Sequence, residues 1–281
     1  MTKKEQRVVV NKVILTLSSI SAVIGISFLF WILYVLLANG ISALDITIFT
    51  NDMAPPGIDE GGLRNALVGQ MMIVVFATIV GVPIGILAGT YLSEYGLGSR
   101  YANFIRDISD IMMSAPSIVI GAFVYAILVA PFGHFSGWAG IAALAIMMIP
   151  IVLRTTDDML SLVPQTLREA AFALGAPKYK VIMQVVYKGA KNGLLTGILL
   201  SISRITGETA PLLFTSFNNN FFSTDLSEPI SSLTVTMFNY ATSPYEDWQQ
   251  LGWAAALILS LFVLSVNIVG RVFINKKKSK G

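Results

Sequence analysis

The chain has no cysteine and a single histidine, His134, among 281 residues. Disulfides and thiolate metal centres are thereby excluded, and a histidine-based metal site has too few ligands. Charge is scarce as well: 12% of residues are charged and 54% hydrophobic, with a mean hydropathy of +0.71. That much apolar surface exceeds what a water-soluble core encloses, so the chain belongs in a bilayer. No GxxxxGK[ST] phosphate loop occurs. The nearest stretch, GAPKYK from Gly175, lacks the second glycine, so the chain cannot hold ATP in the usual way and carries no cofactor of its own. Nucleic acid is not an expected partner.

What is present is a series of long uncharged intervals. About 20 apolar residues cross roughly 30 Å of hydrocarbon as a helix. Residues 1–14 read as a cytoplasmic segment, 15–38 as the first transmembrane helix and 39–65 as an extracytoplasmic loop. The apolar run Val13 to Leu37 exceeds a signal-peptide core, and no clean A-x-A site follows it, so it is expected to remain as a span. Residues 66–271 then hold five more spans, near 66–93, 109–131, 138–153, 192–217 and 248–271, with a long loop at 154–191 and a basic tail at 272–281. Pro83, Pro116 and Pro150 are candidate kinks. The expected fold is an all-α membrane protein of six helices.

Of the 19 lysines and arginines, all but Arg64 and Arg204 fall before the first span, after the last, or in the second and fourth connections. The positive-inside rule then places both termini and the loop 154–191 in the cytoplasm of a bacterial cell. The outer segments carry Asp45, Asp52, Asp59, Glu60, Asp225, Glu228, Glu246 and Asp247. Part of that acidity simply mirrors the exclusion of basic residues from outer loops. The tail KKKSK is a solvated basic end near lipid headgroups.

The fifth span carries its charge inside: GLLTGILLSISRITGETAPLLFTSF contains Arg204 and Glu208. A charge at mid-bilayer costs about 2.5–3.5 kcal/mol on insertion scales, which makes such a residue a functional candidate. Four residues apart, the two share a helix face and could simply neutralise each other. A pair of that kind is, however, often replaceable by apolar residues without loss. Pro211 removes an amide hydrogen and crowds the carbonyl of Gly207, predicting a kink beside Glu208. Arg204, Glu208 and the hydroxyls of Thr206 and Thr209 are thus expected to line a translocation pathway. An arginine fork suits a tetrahedral oxyanion, and a carboxylate accepts a hydrogen bond only from an anion that still carries a proton, as phosphate does at neutral pH and sulfate does not.

The loop contains LREAAFALGAP, Leu167 to Pro177. Leu167, Ala170, Ala171 and Leu174 recur on one helix face beside Arg168 and Glu169. Gly175 suits a left-handed helix end, and Pro177 the first turn of the next helix. A helix, a corner and a second helix are predicted. By itself the pattern also fits an amphipathic helix resting on the membrane.

LREAAFALGAP resembles the EAA loop of ABC importer permeases of the type I fold, with Glu169, Ala170, Ala171 and Gly175 on its pattern. The resemblance implies that Leu167 to Gly175 is a coupling helix docked in a cleft of a cytoplasmic ATPase dimer, which holds ATP and magnesium. In place of the motif's closing apolar residue and Leu-Pro stand Val185, Val186, Tyr187 and Lys188. SRITGETAPLLFT, Ser203 to Thr215, together with SPYEDWQQLGWA, is similar to the A-type permease subunits of phosphate-specific transport systems, over about Ala66 to Arg271. This implies phosphate translocation at Arg204 and Glu208, a second homologous permease, and an extracytoplasmic phosphate-binding protein. Delivery by a carrier fits an acidic outer face that repels free phosphate. The loop Asn218 to Gln250, with Asn219, Asn220, Phe221, Phe222 and Trp248, is its expected docking surface, although such aromatics also anchor at headgroup level. The alternatives at this stage are a permease for sulfate, molybdate or another small solute, a secondary transporter or channel, and a membrane-embedded phosphate-ester hydrolase. The last lacks a nucleophile and base beside Arg204 and Glu208.

Overall fold

A computed structural model of the chain describes residues 3–57 and 61–278, with side chains through 272. Asp59, Glu60 and the end of the basic tail therefore lie outside the described residues. The helices are α1 Lys3–Ser42, α2 Thr47–Thr50, α3 Arg64–Glu94, α4 Arg100–Ser114, α5 Ser117–Val124, α6 Gly137–Ser161, α7 Gln165–Ala173, α8 Lys178–Val181, α9 Tyr187–Thr206, α10 Ala210–Thr215, α11 Leu233–Ala241 and α12 Glu246–Lys278. The described residues contain no β-strand. Single π-type turns continue α5 (Tyr125–Val129) and link α8 to α9 (Ile182–Val186).

Among the described residues, four helices are long and apolar enough to cross a membrane by themselves: α1, α3, α6 and α12 through Val272. A fifth span is possible as a bent pair, α4 with α5 and its π-turn, which fold against each other at 103°. The expected span 109–131, in which Pro116 is a candidate kink, is thus bent at a sharp corner at Ala115–Pro116. Pro116 disfavours helical backbone at the residue before it, and Ala115 is extended at φ −67°, ψ 137°. Pro83 and Pro150, by contrast, lie inside the uninterrupted helices α3 and α6. The expected span 192–217 is broken into α9 and α10. At the ends, α1 begins well before residue 15, and α12 continues past 271 into the tail.

The core is the α3–α6 pair. Ala77, Gly81, Gly85 and Gly89 form a stripe of small residues at every fourth position of α3. Across from it lie Met148, Val152 and Thr156 of α6, also four apart. Without a hydrophobic force between helices in lipid, such stripes let backbones approach and gain dispersion contacts. A Cβ on Gly85 would lie 2.6 Å from that of Val152. Gly85→Val is therefore expected to cost about 1–3 kcal/mol by overpacking and to lower the melting temperature of the detergent-purified protein, while Ser18→Val on the exposed α1 leaves it unchanged. The first helix, α1, stands largely apart and meets mainly α12, where Gly40 abuts Leu257.

Candidate functional site

The break in the fifth span is built from local chemistry. The ninth helix ends at Thr206, with Gly207 as its cap, and α10 starts at Ala210 with Pro211 in its first turn. Pro211 thus starts a helix instead of kinking one. In that position its missing N–H leaves no intrahelical bond unmade. Gly121 of α5 lets the Pro211 backbone approach closely: a Cβ there would come within 2.6 Å of the Pro211 Cα.

Arg204 lies in the last turn of α9, and Glu208 lies within the break. Their nearest charged atoms, Nε and Oε1, are 3.9 Å apart, which is an ion pair too long to be a hydrogen bond. The Arg204 side chain is 50% exposed and Glu208 17%. Among the described residues the Arg204 guanidinium makes no hydrogen bond, so its fork of donors is open to a ligand while Glu208 sits beside it. Thr206 does not join them: it is buried, and its hydroxyl donates to the Ile202 carbonyl at 2.7 Å. Thr209 lines a cavity of about 490 Å³ with Met237, Gln249 and Trp253. On the α12 side, Ser203 and Gly207 border a groove of about 610 Å³ with Ser260, Asn267 and Arg271. Asn267 spans it by donating to the Ser203 hydroxyl at 2.7 Å.

The loop 162–186 has the predicted helix, corner, helix form. After α7, Gly175 takes φ +78°. The amide of Gly175 donates to the Phe172 carbonyl, and that of Ala176 to the Ala171 carbonyl, the paired closure that a left-handed glycine permits. Leu167, Glu169, Ala170, Leu174 and Gly175 are exposed, Leu174 at 89%. Ala171 turns instead toward the cluster of Leu160, Val163, Val181 and Val186. The chain leaves the loop through its π-turn, and Tyr187 bonds Thr90 of α3 hydroxyl to hydroxyl at 2.7 Å.

Arg168 does not belong to the exposed surface. It is buried, its guanidinium donating to Glu94 Oε1 at 2.6 and 3.2 Å, to the Leu160 carbonyl at 2.9 Å and to the Val163 carbonyl. Lys178 donates to the Glu94 carbonyl at 2.7 Å and lies 3.8 Å from the Tyr95 ring centroid. Both helices of the loop are therefore clamped to the end of α3. Nearby, Arg106 of α4 binds Asp157 of α6 through two donors, at 2.7 and 3.2 Å, and also reaches the Leu92 carbonyl. Sequence reasoning missed Glu94, Arg106 and Asp157, because their pairing depends on the corner at Pro116 and on the register of α3 against α6.

At the opposite end, Arg64 pairs with Asp52 at 2.8 and 3.0 Å and lies 4.8 Å from the Phe222 ring centroid. Trp248 turns inward, stacking on Tyr240 and donating to the Ala54 carbonyl, and Asn219 bonds Pro229 and Asn65. Phe221, at 80% exposure, is the aromatic residue of the expected docking loop most open to a partner.

Residues 81–279 match the family of binding-protein-dependent transport system inner membrane components. The chain belongs to that family. It is 54% identical to the phosphate transport system permease protein PstA of Haemophilus influenzae, over 95% of each chain. The PstA of Yersinia pestis is 51% identical over 95% of this chain and 91% of that one. The probable PstA of Methanocaldococcus jannaschii is 33% identical over 94% and 93%. A chain of the MetNI methionine ABC transporter superposes with a TM-score of 0.61 at 17% identity, covering 76% of this chain and 94% of that one. The fold is that of ABC transporter permeases, and as a member of this family the chain is an inner-membrane transport component.

Proposed function

We propose that this chain is the permease subunit of an ATP-driven importer of inorganic phosphate, and that it forms half of the pathway with a second permease. The observation that carries the reading is the open guanidinium of Arg204 beside Glu208 at a helix break. It is supported by relatives at 46–54% identity that are named phosphate transport permeases. Irregular backbone at membrane depth is tolerated where it is buried in protein or faces a water-filled cavity, which suits a pathway between two subunits. Arg204 takes two phosphate oxygens in its fork, and Glu208 accepts a hydrogen bond from the P–O–H that a phosphate monoanion or dianion carries.

In this reading the span 192–217 crosses the membrane as two half-helices, giving six spans with both termini in the cytoplasm, as the basic residues require. The exposed ridge of Leu167, Ala170 and Leu174, with Glu169, enters a cleft on a cytoplasmic ATPase dimer that holds ATP and magnesium. Closure of that dimer pushes α7, and the clamps at Glu94 and Asp157 pass the movement to α3 and α6, alternating the pathway between outward and inward openings. An extracytoplasmic phosphate-binding protein delivers the anion to the outer loops, where Phe221 is exposed.

Glu208→Gln tests the role of the acid. The glutamine amide both donates and accepts, so the requirement for a protonated anion is relaxed. Phosphate uptake in proteoliposomes is expected to fall roughly tenfold, on the order of one charge-assisted hydrogen bond, while sulfate uptake rises toward it. Unchanged discrimination between the two anions would remove Glu208 from the selective site.

A further inference from the structure

A broken helix in a membrane leaves carbonyls that its own backbone no longer serves. At this break the Arg204 and Ile205 carbonyls accept from the amides of Gly207 and Glu208. The carbonyls of Thr206 and Glu208 are met by side chains from two other helices. Gln70 Nε2 of α3 donates to the Thr206 carbonyl at 3.1 Å, and the Thr234 hydroxyl of α11 donates to the Glu208 carbonyl at 3.0 Å. Both residues are fully buried, Gln70 at 2% exposure. Two residues of the break, one on each side of Gly207, are thereby tied to different neighbours.

We infer that Gln70 and Thr234 are positioning residues that hold the break open at a fixed angle and so determine where Arg204 and Glu208 point. Three features single them out from ordinary buried polar residues. Among the described residues Gln70 Oε1 has no hydrogen-bond partner, so the side chain leaves an acceptor unsatisfied while its amide is directed at Thr206, an arrangement that packing alone would discard. Gly69, the preceding residue, lets the segment leading into α11 lie directly on α3, since a Cβ there would collide with the Ser231 carbonyl oxygen. Thr234 lies in the first turn of α11, which Ser232 caps by accepting from the Val235 amide. The third and eleventh helices are thus fixed to each other, and the break is suspended between them. Movement of α3 reaches Arg204 and Glu208 through these two bonds, which supplies a route from the clamp at Glu94 to the anion.

This inference rests on the phosphate reading for its transport assay, so a second readout independent of transport is needed. The chain has no cysteine, and Thr209→Cys gives a single thiol at the break. In the assembled complex, Gln70→Leu and Thr234→Val are expected to raise the KM for phosphate roughly tenfold, the scale of a lost buried hydrogen bond. They are expected to leave kcat within about twofold and to change the maleimide labelling rate of the thiol introduced at position 209 at least severalfold. Thr234→Ser, which keeps the hydroxyl, is expected to match the wild type in both. If Gln70→Leu does not assemble, the comparison of Thr234→Val with Thr234→Ser decides. Wild-type KM and wild-type labelling in Thr234→Val would overturn the inference. Absence of phosphate uptake by the unsubstituted complex would instead overturn the phosphate reading, and the labelling contrast would still judge the two residues.

Discussion

Exchanging Arg168 for methionine is expected to uncouple the transporter: ATP hydrolysis by the reconstituted complex continues, while phosphate uptake falls at least tenfold. Removing the guanidinium strands Glu94, whose side chain is only 7% exposed, without its partner, and leaves the Leu160 and Val163 carbonyls without that donor. Breaking a buried pair from one side costs about 3–5 kcal/mol, whereas replacing both members by apolar residues is often neutral. The double variant Arg168→Met with Glu94→Leu is therefore expected to regain most of the lost thermal stability but not the coupling, because the directional link from α7 to α3 is still missing. Full uptake by the single variant would show that the loop drives the membrane helices by another contact. The neighbouring Arg106–Asp157 pair works on the same principle, tying α4 to α6.

The second large effect is expected at Arg204. Its alanine variant should assemble normally, since the side chain is half exposed and makes no hydrogen bond among the described residues. Phosphate uptake should nevertheless fall on the order of a hundredfold or more, since two charge-assisted hydrogen bonds are each worth about 1.5–3 kcal/mol. Arg204→Lys should recover only part of this loss, because an ammonium is a point charge without the planar fork. Initial rates of labelled phosphate uptake in proteoliposomes measure both variants. Equal rates for Arg204→Lys and the wild type would mean that only charge, and not two-point recognition, is used.

The helical membrane class and the helix, corner, helix form around Leu167 to Gly175 are legible in the sequence, because uncharged length and the pattern of that segment are local signals. Gly175 ends α7 as its freedom at positive φ predicts. Legibility fails where the outcome depends on neighbours. By sequence Pro211 predicts a kink, yet Gly207 caps α9 and leaves the proline to start a new helix against Gly121. Pro116, indistinguishable by sequence from Pro83 and Pro150, turns the chain by 103°, whereas the other two are absorbed in helices packed tightly on each other. Thr206, only two residues from Arg204, bonds back to Ile202, and Arg168, placed by its motif on a docking surface, is the buried clamp. Gln70 carries a faint signal, an amide in an uncharged run, whose meaning requires knowing that Thr206 ends a helix beside it.

In this account the exposed ridge of α7 drives the site at Arg204 and Glu208. The most direct test is the ratio of phosphate transported to ATP hydrolysed in proteoliposomes holding the full complex, with and without Glu169→Lys. Reversing the charge on that exposed ridge is predicted to abolish phosphate-stimulated hydrolysis and uptake together, while Arg204→Ala in the same assay loses uptake but keeps basal hydrolysis. A Glu169→Lys complex with an unchanged ratio and an unchanged uptake rate would contradict the account.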